Sequence, residues 1–187
     1  EAVLPITAGI TSVDLVGHLI GLGEYLAMYL FVWSEVLWPR EPDPLPTFDE
    51  IVEFFEKREM RIYAELGLRQ MHRQDRSSVN LETARTSDFR RTVKEVRRAL
   101  ANIPSYMIFD DHEITDDWNM TRNFCKSVYG SSLGLRIVQN GLVAYALCQH
   151  WGNAPEQFHG DTSISPGEKL MLLLDRTDTA NYDSNSP

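Results

Sequence analysis

Cysteine is scarce in this chain. Cys125 and Cys148 are the two among 187 residues, too few to form a disulfide framework. Both sit in apolar company and read as buried free thiols. Such cysteine usage leans toward a cytoplasmic setting without fixing the compartment. Glycine and proline, at 11 and 9 residues, are too sparse for a collagen-like or low-complexity chain. Positive charge is in deficit, with 18 Lys and Arg against 27 Asp and Glu and a net charge of −9. A field of that sign does not draw in nucleic acid or anionic lipid. What remains is ordinary for a globular protein, 43% hydrophobic and 24% charged. The length suits a single domain over residues 1–187, with a core that needs no metal or disulfide to hold it.

Long apolar runs are also few. The one that stands out, Leu15 to Ser34, is about 20 residues long, which raises a membrane span. Glu24 lies near its middle and Gly17, Gly21 and Gly23 interrupt it. A carboxylate at mid-bilayer costs about 2.5–3.5 kcal/mol, and no basic cluster flanks the run to orient it. The run is therefore expected to be a core helix, bent at the glycines and ended by Pro39, with no membrane span. Position 1 is Glu1, and no basic region with a cleavage site comes after it, so no signal peptide can be read and both ends look cut. Residues 178–187 are polar and aperiodic, as in a frayed tail.

Between those ends the pattern is largely helical. Residues 39–46 carry four prolines and form a stiff connector. Thr47 and Glu50 make a capping box, and Phe48, Ile51, Val52, Phe55, Ile62 and Leu66 recur at helical spacing. Ser87 caps a further helix to Leu100, on which Phe89, Val93, Val96 and Leu100 share a face. Residues 131–152 form another, with Leu133, Ile137, Gly141, Tyr145, Cys148 and Trp151 on one side. Ser165 and Glu168 form a second capping box, with Pro166 at the first helical position. Between these helices, Ser105–Phe109 is short, apolar and β-favouring, and is expected to be a buried strand. The fold class expected is therefore α-rich α+β.

That run stops at a crowd of charge. Positions 110–117 hold Asp110, Asp111, Glu113, Asp116 and Asp117, with His112 among them. At the chain's average acid content, eight positions would hold about one. Like charges this close repel one another unless something positive answers them, and a bound metal ion is one such answer. Carboxylate with imidazole suits Mn, Fe or Zn. The same pattern also fits a plain acidic turn that caps the next element.

The stretch Pro104-Ser-Tyr-Met-Ile-Phe-Asp-Asp-His-Glu-Ile-Thr-Asp-Asp-Trp-Asn119 resembles the strand and metal loop of the PhoD-like (alkaline phosphatase D-type) metallophosphatases, within the calcineurin-like metallophosphoesterases. The likeness extends over roughly residues 12–152. It implies the helical central part of an α/β/β/α sandwich that hydrolyses phosphate-ester small molecules. The cofactor implied is a divalent or mixed-valence metal pair (Fe, Mn, Zn or Ca) that activates a hydroxide. Carried over position by position, Asp111 falls at a metal ligand and Asp110 beside it. His112 falls at the residue that contacts phosphate and protonates the leaving oxygen, and Glu113 at the acid that orients it. Asp116, Asp117 and Asn119 have no counterpart. The family's Gly-Asp strand end has no match upstream of Asp110, since Gly160-Asp161 lies downstream. Its late histidine ligands come after strands, which His150 and His159 do not. The resemblance thus implies an internal piece of such an enzyme, weak or inactive alone.

Residues 57–98 hold 12 basic and six acidic side chains, read as solvated basic helix faces. The reading from another class is a non-catalytic helical interaction module with a structural acidic loop.

Overall fold

The computed structural model describes residues 3–12, 18–40, 44–57, 76–159 and 165–182. Helices among these residues are α1 (Val3–Ala8), α2 (Leu22–Trp33), α3 (Phe48–Lys57), α4 (Arg76–Leu100), α5 (Arg122–Gly130), α6 (Ser132–Tyr145) and α7 (Pro166–Tyr182). A 3-10 turn stands at Asp111–Glu113, and α6 runs on through a π turn, Ala146–His150, to Trp151–Asn153. The expected Ile62 and Leu66 positions and Gly160-Asp161 lie outside the described residues. So do residues 15–17 of the apolar run and the last five of the expected tail, whose earlier part, 178–182, is helical backbone of α7. Among the described residues no helix is long and apolar enough to cross a membrane.

The chain divides into two compact units, Leu30–Ile103 as one and residues 1–29 with 104–187 as the other. In the larger unit Ile10, Tyr25, Ile114, Val128 and Ile137 are buried to within 2%. Close backbone approach builds this core. A Cβ at Gly134 would stand 2.2 Å from the Ala8 carbonyl oxygen, so α6 can meet α1 only with glycine there. A Cβ at Gly141 would meet Ile114 Cγ1 at 2.7 Å, which seats Ile114 directly against α6. Glu24, the odd charge in the apolar run, is explained by local bonding. Its Oε2 accepts the N–H groups of Ile20 and Gly21, both at 2.7 Å, and caps the start of α2.

In the other unit the Thr47 box closes as expected. Thr47 N–H donates to Glu50 Oε2 at 2.8 Å, and Glu50 N–H to Thr47 Oγ1 at 3.3 Å. Arg76 forks onto Asp49 at 2.8 and 2.7 Å. Trp38 donates to the Phe31 carbonyl at 2.8 Å and packs on Phe31 and Phe89. Helix α4 starts eleven residues before Ser87. Its first turns carry little apolar periodicity, and only Val79 and Val93 are buried on it.

The fold class differs from the expectation. The described residues are helical and contain no strand or sheet, so the buried strand of an α/β/β/α sandwich is corrected. Residues 104–110 form neither helix nor strand, and Tyr106 and Ile108 are 82% and 86% exposed. A β-favouring composition makes a strand only where an edge is present to pair with. Here the Met107 backbone bonds instead to a side chain: its N–H donates to Asn153 Oδ1 at 2.9 Å, and its carbonyl accepts from Asn153 Nδ2.

Candidate metal and proton-transfer site

The acidic loop is held from both flanks. On the amino side, Phe109 packs edge-on against Trp118 at 5.0 Å and Tyr145 at 5.4 Å. On the carboxyl side Thr115, fully buried, accepts the Thr11 N–H at 2.9 Å, and the Thr11 hydroxyl donates to the Asp116 carbonyl. Between these anchors the chain makes one 3-10 turn, closed by Ile114 and Thr115 N–H donating to the Asp111 carbonyl at 2.9 and 2.8 Å. Asp117 and Asn119 then take positive φ, 58° and 61°, a region that Asp and Asn tolerate better than most residues.

Within the turn Asp110 and Asp111 share one partner atom, and Glu113 has another. Asp110 Oδ2 lies 3.1 Å from His112 Nδ1, and Asp111 Oδ1 lies 3.0 Å from the same nitrogen. Asp111 also accepts the backbone N–H of His112 and of Asp117, each at 3.1 Å. Glu113 Oε2 accepts the Asp110 N–H at 2.6 Å. Glu113 thus braces the backbone, and the groups that orient the imidazole are Asp110 and Asp111. Asp116 Oδ1 stands 3.8 Å from His112 Nε2.

The hydrogen bond to Asp110, aided by the charges of Asp111 and Asp110, holds the His112 pKa above its ordinary value. The same bond to His112 holds the Asp110 carboxyl below its own. Behind the turn Tyr29 is 4% exposed, and burial, with the Glu113 charge adding to it, pushes its hydroxyl up to about 12. Tyr29 therefore stays neutral and adds no further negative charge beside the acids.

One ligand atom each from Asp110, Asp111 and His112 lies within 4.8 Å of the others, the one such cluster among the described residues. Two carboxylates and an imidazole suit a single Mn, Fe or Zn ion. Three donors from one side leave positions open, as catalytic sites require. A pair of ions needs more donors than this cluster offers. The other histidines are elsewhere: His150 bonds Gln157 at 3.2 Å and His159 packs on Trp151. Cys125 and Cys148 are both free thiols, but neither is buried as expected: Cys125 is half-buried and Cys148 exposed.

Sequence reasoning found the loop but not its supports. Thr11, Tyr29 and Asn153 are remote in sequence and nothing in their local pattern marks them as supports, and Tyr145 is marked only as part of a helix face. No family model, curated protein or solved structure matches this chain.

Proposed function

We propose that residues 110–113 are the metal-binding and proton-donating corner of a phosphoester hydrolase, acting on small phosphate esters. The observation that carries this is His112 itself. Its Nδ1 is fixed by two carboxylates while the side chain remains 70% exposed. An imidazole held that way keeps its Nε2 proton available for a leaving oxygen. Asp110 and Asp111 would hold the cation, since each carboxylate oxygen can accept more than one partner. Glu113 keeps the turn closed beneath them through the Asp110 N–H. A divalent ion bound there lowers the pKa of coordinated water and spreads the transition-state charge. The likeness of residues 104–119 to the PhoD-like metal loop supports the same reaction class.

A second reading has its own observation. Both Asp111 oxygens already accept backbone N–H groups, as they would in a purely structural turn of an interaction module. The two readings part on activity. In a longer chain that supplies further ligands, hydrolysis of a p-nitrophenyl phosphodiester with added Mn²⁺ is expected. Losing the general acid in His112→Ala should lower it by about 10²–10⁴-fold while circular dichroism stays unchanged. Absence of turnover, or an unaffected variant, would favour the structural turn.

A further inference from the structure

We infer that Asn153 is a positioning residue for the 110–113 turn, acting through the backbone of Met107. It rests on the proposed cation site only for its second readout.

The run that leads into Asp110 belongs to no helix or strand among the described residues. The carboxamide of Asn153 takes the place of a neighbouring strand. Its Oδ1 accepts the Met107 N–H at 2.9 Å and its Nδ2 donates to the Met107 carbonyl. One planar group with an acceptor and two donors can meet both backbone groups of a single residue. The Tyr145 hydroxyl adds a bond to the same carbonyl at 3.4 Å. Two residues on, the Phe109 ring packs against Tyr145, the same side chain that reaches Met107, and against Trp118. Met107 and Phe109 are therefore fixed together, and Asp110 is the next residue.

The π turn matters to this placement. The five-residue turn Ala146–His150 changes the helical register, so Trp151–Asn153 does not continue the face of α6. Tyr145, before the turn, and Asn153, after it, then reach one carbonyl from the same helix. With Thr115 anchored to Thr11, the turn that carries Asp110, Asp111 and His112 is pinned on both flanks.

The test uses the full 187-residue chain and two variants, Asn153→Ala and Asn153→Asp. The second keeps the side chain's shape, but its carboxylate cannot donate to the Met107 carbonyl. Amide hydrogen exchange monitored by NMR should be at least tenfold faster at Met107 in Asn153→Ala, which loses the acceptor, and at Glu113, Ile114 and Thr115 in both variants, and unchanged at Ile137 and Val138. Faster exchange confined to Met107 would overturn the inference. So would equal acceleration at Ile137 and Val138, which signals general destabilisation. The second readout is Mn²⁺ affinity, expected to fall about 10–100-fold, as when a ligand's support is removed. Equal affinity in parent and variants overturns the inference. If the parent itself fails to bind Mn²⁺, the cation site falls, and the exchange data alone decide the role of Asn153.

Discussion

His112 Nδ1 lies 3.1 Å from Asp110 Oδ2 and 3.0 Å from Asp111 Oδ1, so one imidazole nitrogen is shared by two carboxylates. The loop therefore answers part of its own negative charge. The imidazole supplies one positive group when it is protonated, and the N–H groups of Asp110, His112 and Asp117 supply three donors. A cation at this place adds to a compensation that the turn has already begun.

Stability of the turn should depend on pH through this pair. His112 has a folded-state pKa raised above 6.5. Its contribution is complete below 6.5 and is lost as pH rises through the folded value. Asp110 is lowered from 3.8, so its contribution holds above 3.8 and is lost as pH falls through the folded value. The turn is firmest between those limits. NMR titration should place His112 above 6.5, and Asp110→Asn should lower it. A parent His112 that titrates at or below 6.5 would contradict the geometry.

Glycine at 134 and 141 is required by contact, whereas glycine at 152 is not. A Cβ at Gly134 meets the Ala8 and Val128 carbonyl oxygens at 2.2 and 2.6 Å, backbone atoms that cannot turn aside. Gly134→Ala should cost about 1–3 kcal/mol in urea denaturation. Gly141→Ala should cost less, since Ile114 presents only side-chain atoms. At Gly152 nothing lies within 4 Å, and Gly152→Ala should be neutral or stabilising by about 0.4–1 kcal/mol. Equal effects at all three sites would contradict the packing.

Thr115 is a buried polar anchor rather than a core methyl group. Thr115→Val removes the acceptor for the Thr11 N–H and should destabilise by about 1–3 kcal/mol. Thr115→Ser keeps the acceptor and should retain most of the stability. Denaturation midpoints for the two variants check this, and a stable Thr115→Val would remove the anchor from the picture.

Legibility in the sequence depends on the range of the interactions. The Thr47–Glu50 and Ser165–Glu168 boxes are readable because each is made by side chains three residues apart, and both close in the structure. The site residues 110–113 are visible as a charge anomaly. The start of α4 is not, because its first turns are polar and carry no apolar stripe. The face assigned to residues 131–152 holds through Ile137 and Gly141 and then fails at Cys148. No local signal announces a π turn, and the turn rotates the residues beyond it off that face. The expected strand fails for a different reason. Whether Ser105–Phe109 pairs depends on a partner edge, and the partner present is the side chain of Asn153, 46 residues from Met107.

Cation binding by Asp110 and Asp111, beside His112, is most directly checked by titrating the chain with Mn²⁺ while recording its backbone NMR signals. Paramagnetic broadening should begin at these three residues and spread outward, and Asp111→Asn should weaken it at least tenfold. Broadening that starts elsewhere, or that is the same in Asp111→Asn, would show that these carboxylates hold no ion.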